Sequence, residues 1–230
     1  MKSIRLSLVL LMMCLLVVFA SGCPATTPAV TISTASTTAA STTTGTLTTT
    51  GKPAIYLYPV EKTDVSVSLD YHGTLTCTYP EYSGLWQVTA FPDGTLVNRA
   101  DGREYSYLYW EGLTDAPYDF SKGFVVRGTD TAAFLQEKLA LLGLTAREYD
   151  EFIVYWLPRM QGNAYNLIAF QGEAYTRNAL LDITPRPDSL LRVFMAYKPL
   201  DQAIQIDEQP LAGFQRKGFT VVEWGGSFVP

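Results

Sequence analysis

From residue 64 the chain alternates. Val65, Val67, Leu69 and Tyr71 fall on one side of an extended strand, and Asp64, Ser66, Ser68, Asp70 and His72 on the other, which is the period-two signature of a half-buried strand. Leu75, Cys77 and Tyr79 then alternate with Thr74, Thr76 and Thr78. Parity chooses the turn between them. A two-residue loop at His72-Gly73 would set Leu69 against Thr76, core against polar. A three-residue loop over residues 72–74 sets Leu69 against Cys77 and Val67 against Tyr79. Cys77 is therefore expected in the core and His72 in water.

The same pattern marks further strands. Pro53 and Pro59 bracket an apolar opening strand. Residues 85–91 run into the turn Pro92-Asp93-Gly94 and are answered by residues 95–98. Residues 103–111, 122–127, 165–170, 190–197, 203–206 and 219–224 also read as strands. Between them lies a helical excursion. Asp130 is placed to cap a helix whose Leu135, Leu139 and Leu142 share a face, and Gly143 ends it. Thr145 to Glu148 reads as a capping box, with Leu144 and Tyr149 spaced as a hydrophobic staple. After one or two helical turns from that box, the apolar run 152–157, stopped by Pro158, reads as a buried strand. The pattern predicts an α+β, mostly β domain of two packed antiparallel sheets, with a short helical excursion near residues 130–151.

Upstream the pattern changes. Residues 24–51 carry no charge, and 13 of these 28 positions are Thr. Such a stretch cannot offset its ordering entropy by burial, so it reads as a disordered tether, with a single folded domain over residues 52–230. Before it, Lys2 and Arg5 precede the apolar residues 6–19, and Ala20-Ser21-Gly22-Cys23 follows. That is the order of a secretory signal, and the run is shorter than the ~20 residues of a spanning helix. The cysteine after the small residues resembles the lipobox of bacterial lipoproteins. The resemblance implies a signal peptide over residues 1–22, a diacylglycerol on Cys23, and a protein held to the membrane by that lipid on its extracytoplasmic face.

Charge and cysteine usage fit that location. The net charge of −5 becomes −7 once Lys2 and Arg5 leave with the signal, which excludes the basic footprint of nucleic-acid binding. Cys14 leaves too, Cys23 is lipidated, and Cys77 has no partner for an intramolecular disulfide.

Four segments of the folded part carry a second resemblance: Lys52-Pro53-Ala54-Ile55-Tyr56-Leu57-Tyr58-Pro59, Tyr109-Trp110-Glu111-Gly112, Tyr155-Trp156-Leu157-Pro158 and Val222-Glu223-Trp224-Gly225-Gly226. They resemble motifs of a set of uncharacterised secreted or cell-envelope proteins. The likeness implies one recurring unit from the first motif to the last, and it transfers no catalytic residue.

Candidate chemistry is sparse. His72 is the only histidine, and there is no histidine pair or Cys-x-x-Cys, so no metal site and no cofactor is expected. Gly-x-Ser-x-Gly is absent. A Cys77–His72 thiol pair is set aside, because Cys77 is expected inside and buried thiols are inert. Two glutamates stand out. Glu111 and Glu223 each end a strand beside a tryptophan and before glycine. Each shares a strand face with apolar residues, a setting that raises a carboxyl pKa. Flanking a sugar, they would resemble a glycosidase pair. Tyr105, Tyr107 and Tyr109 line one face of a strand with Trp110 on the other, which suits either a ligand platform or a core. Two functions follow. The first is a lipid-anchored envelope protein displaying a binding domain for cell-wall glycan or an envelope protein. The alternative is a cell-wall glycan hydrolase using Glu111 and Glu223.

Overall fold

The computed structural model describes residues 47–230. The signal, Cys23 and residues 24–46 of the expected tether lie outside the described residues. The domain is mostly β, as the alternation predicts, and is built as three layers. A seven-stranded sheet is covered on one face by two helices and on the other by a five-stranded sheet.

The first strand, β1 (Thr48–Tyr58), lies inside the larger sheet. It is flanked by β7 (Leu108–Thr114) and β12 (Thr220–Phe228), both antiparallel to it. Its position explains its composition. Ala54 and Tyr56 face the helices, Ile55 and Leu57 face the second sheet, and all four are at most 1% exposed. The sheet continues past β12 through β11 (Ser189–Leu200), β9 (Tyr165–Gln171) and β8 (Phe124–Arg127), and on the other side β7 is edged by β3 (Thr74–Tyr79). All pairs are antiparallel except β11 with β12. The smaller sheet contains β2 (Thr63–Tyr71), β4 (Trp86–Ala90), β5 (Leu96–Asn98), β6 (Glu104–Tyr105) and β10 (Ala179–Thr184).

The helices are α1 (Thr131–Leu141), α2 (Ala146–Met160) and the short α3 (Glu173–Asn178). In α1 Leu135 and Leu139 are fully buried, but Asp130 makes no side-chain cap bond. The capping box of α2 is present, with the Thr145 N–H donating to Glu148 Oε2 at 2.8 Å.

Several expectations are corrected. The first described strand takes in residues 48–51 of the expected tether: Thr48, Thr49 and Thr50 pair with Thr114, Leu113 and Gly112, and Thr50 is buried. Polar threonines suit this place because the Thr50 hydroxyl meets Tyr71 Oη at 2.8 Å. The 72–74 turn is not a hairpin. β2 and β3 belong to different sheets, so Leu69 pairs with Leu181 and Cys77 with Glu111. The chain changes sheets at Gly73, where a Cβ would sit 2.3 Å from the Leu113 carbonyl oxygen. Edge strand β3 is largely exposed, and Cys77 is exposed rather than core. Residues 103–111 are likewise two strands in two sheets. The run 152–157 stays helical to Met160, because Phe152, Trp156 and Met160 recur every four residues on the buried side while Val154 is 74% exposed. Residues 203–206 form no strand. They begin a long connection pinned by Gln209, whose side chain bonds both the N–H and the carbonyl of Phe170 at 2.8 and 2.7 Å.

Removing residues 48–51 therefore costs structure. A chain starting at Lys52 should melt roughly 5–10 °C below one starting at Leu47 in a thermal scan, from loss of a few ladder bonds and the Thr50 contact.

Candidate binding site around Lys52

The four motif segments, far apart in sequence, meet on the helix-facing side of the larger sheet. β1 carries a bulge there: its register shifts between Gly51 and Ala54 against β12 and between Thr50 and Ala54 against β7. Lys52 lies in the bulge with φ 58°, a left-handed conformation that costs a non-glycine residue about 1–2 kcal/mol. The bulge frees the Lys52 N–H from the ladder, and it donates to Glu111 Oε1 at 3.2 Å. The side chain is held as well. Nζ donates to Tyr107 Oη at 3.0 Å and lies 4.6, 5.1 and 5.7 Å from the ring centres of Tyr107, Tyr109 and Trp224. Cation–π contacts of this kind contribute about 0.5–2 kcal/mol each, more as the site is drier.

Helix α2 closes the site from above. Trp156 packs on the sheet backbone where glycine leaves room: a Cβ on Gly226 would lie 2.7 Å from its ring and 2.6 Å from the Met195 carbonyl oxygen, and one on Gly51 would lie 3.3 Å from the ring. That contact brings Tyr155 to Glu111, where its hydroxyl donates to Oε1 at 3.4 Å. One turn earlier, Glu151 accepts from the Tyr56 hydroxyl at 2.8 Å. Beyond, the Arg159 guanidinium lies 4.0 Å from the Tyr155 ring centre and donates to the Tyr155 carbonyl. Lys52, Ser106, Tyr107, Glu151, Tyr155 and Arg159 line a surface cleft of about 560 Å³. The phenols are shifted. Burial, then the bonds to Glu111, push Tyr109 up; burial, then the Glu111 charge, push Tyr155 up; burial, then Glu151, push Tyr56 up.

Glu223 is elsewhere. It points to the opposite face of the sheet, into the core between the sheets, and is fully buried. Its Oε2 accepts from Arg192 Nε at 2.6 Å and its Oε1 from Trp110 Nε1 at 3.2 Å, while Arg192 Nη1 donates to the Ala179 carbonyl at 2.7 Å. The sheet stands between Glu111 and Glu223, so they cannot flank one sugar as a glycosidase pair must. Trp110 is core rather than platform. Tyr105 is in the smaller sheet, bonded to Asp101 at 2.6 Å and packed on Tyr79, and the Asp101 bond raises its pKa to about 12. Tyr107, Tyr109 and Glu111 are thus brought together, while Tyr105, Trp110 and Glu223 are not. His72 and Cys77 share no hydrogen bond among the described residues. Sequence reasoning missed Lys52, Glu151, Tyr155 and Arg159 as site residues. The signal that points to them is the coincidence of four aromatic and glycine motifs.

Three outcomes test this arrangement. Glu223→Ala should destabilise by about 3–5 kcal/mol in denaturant melts, because it strands a buried arginine, whereas Glu111→Ala should cost only about 1–2 kcal/mol. Gly226→Ala should cost about 1–3 kcal/mol by overpacking against Trp156. In an ultraviolet phenolate titration, Tyr56, Tyr109 and Tyr155 should stay protonated as the pH passes that of a free phenol, about 10. Their folded-state pKa values exceed the unfolded value, so the stability they contribute is whole below pH ~10 and falls as pH rises further.

No family model and no solved structure matches the chain. One curated protein is similar in part: an "Uncharacterized protein in bglA 3'region" of Butyrivibrio fibrisolvens is 50% identical over 64 residues. That stretch covers 26% of this chain and 65% of the Butyrivibrio protein, just under two thirds of its length.

Proposed function

We propose that the protein is a lipid-anchored cell-envelope protein whose folded part is a binding domain, with its ligand held in the cleft beside Lys52. The observation that carries the binding reading is Lys52 itself. A lysine in a left-handed bulge, fixed by Glu111 and Tyr107 at the mouth of an open cleft, holds backbone strain beside a cavity, and such strain clusters at functional sites. The separation of Glu111 from Glu223 removes the support for the paired-glutamate hydrolase. The anchor rests on the order Lys2, Arg5, an apolar run and Ala20-Ser21-Gly22-Cys23. The ligand class that suits the place is cell-wall glycan.

Two measurements check the two halves. Cys23→Ala should move the protein from the membrane fraction to the soluble one; a free Cys23 thiol in intact mass of membrane-extracted protein would sink the anchor. Lys52→Gly keeps the fold, because glycine adopts this conformation without penalty. It should cut retention of the full chain on isolated wall glycan about tenfold, the weight of one charged hydrogen bond. Unchanged retention would remove the cleft from the reading.

A further inference from the structure

The cleft lining carries two cations, Lys52 and Arg159, against one acid, Glu151, although the chain is acidic. Glu151 and the neighbouring Glu111 are both held by hydrogen bonds. Glu151 accepts from the Tyr56 hydroxyl and lies 4.0 Å from Arg147, and Glu111 Oε1 already takes the Lys52 N–H and the Tyr155 hydroxyl. Its cations are not neutralised. Among the described residues neither Lys52 nor Arg159 makes an ion pair. Both are nevertheless held in place, Lys52 Nζ by the Tyr107 hydroxyl and ring, and Arg159 by the Tyr155 ring and carbonyl. The bond to Tyr155 uses only Nη1, which leaves the Nε–Nη2 edge, the fork that matches a carboxylate.

The rest of the lining is hydroxyl-rich. Ser106, Tyr107 and Tyr155 supply three hydroxyls, and Val154 is the one aliphatic side chain. The aromatic rings that carry two of these hydroxyls suit the face of a sugar ring, and the hydroxyls suit its edge.

We propose that this cleft selects a saccharide carrying a carboxylate, with the acid set between Lys52 Nζ and Arg159 and the ring hydroxyls facing Ser106, Tyr107 and Tyr155. The proposal rests on the reading of the cleft as the binding site and adds the class of ligand. Glu151 then marks the neutral-sugar side of the site, since a second acid there would repel it.

The test compares oligosaccharides by calorimetry on the full chain in detergent. The probes are a galacturonate trimer, the matching neutral galactose trimer and a phosphate-bearing trimer. Galacturonate should bind about tenfold or more tightly than galactose. The preference should shrink as salt rises from ~50 to ~300 mM, because screening shortens the reach of the cations. Arg159→Gln, an exposed substitution that spares the fold, and Lys52→Met, which keeps the stem but loses the cation–π contacts and so should melt a few degrees lower while still unfolding cooperatively, should each abolish the preference. Equal affinity for acidic and neutral trimers would overturn the inference and leave the binding reading standing. Tighter binding of the phosphate trimer would overturn the carboxylate assignment. If no trimer bound while wall glycan was still retained through Lys52, the inference would fall alone; loss of that retention as well would take the binding reading with it.

Discussion

The packing of Trp156 against the backbone of β1 and β12 sets the geometry of the molecule's helix-covered face. A tryptophan can approach a sheet this closely only where the strands present no Cβ, and Gly51 and Gly226 supply that gap in neighbouring strands. Because Phe152 and Met160 lie one turn to either side on the same buried stripe, seating Trp156 fixes both the height and the rotation of α2. Rotation is what matters for the site. With Trp156 inward, Tyr155 is turned toward Glu111 and Arg159 toward the cleft, so the same contact that fills the core aims the polar residues.

The two glutamates illustrate how one residue type acquires different roles from its side of a sheet. Glu223 is enclosed by Arg192 and Trp110 between two sheets and is structural: its charge is satisfied internally and its removal would leave a cation stranded. Glu111, on the other face, is half-buried and spends its oxygen on a backbone N–H that a bulge has displaced and on a tyrosine from the helix layer. It organises the mouth of the cleft without being enclosed. Their sequence contexts are nearly alike, each beside a tryptophan and before a glycine, so only the sheet register separates them.

That contrast marks how far the sequence could be read. Alternation identified β2, β3 and β4 and the two-sheet architecture, because period two reports which residues share a face of their own strand. It says nothing of which sheet a strand joins. The errors therefore fall where the chain crosses between sheets, at Gly73 and again between Tyr105 and Leu108. Each crossing parts residues that period two groups together: Cys77, expected in the core, is exposed, and Tyr105 is separated from Tyr107 and Tyr109. Capping chemistry was more faithful at α2, since Thr145 and Glu148 act locally. The far end of α2 was obscured because an apolar run before a proline suits strand and helix alike, and only the tertiary surface under Trp156 decides. Lys52 was invisible because nothing in a Gly-Lys-Pro sequence announces a left-handed lysine.

The place where the chain enters the fold has a mechanical consequence. Leu47 leads directly into β1, and β1 is hydrogen-bonded on both sides, to β7 and to β12. A pull applied through the N-terminal side acts along the strand axis, so it loads the bonds on both flanks together in shear instead of peeling them apart one at a time from an edge. Rupture under force is governed by the rate of unfolding rather than by equilibrium stability, and shear in an interior strand is the geometry in which many bonds must yield at once. A load on the N-terminal side would thus meet one of the best-braced strands of the domain, whose first residue, Thr48, lies four positions before the lysine of the cleft.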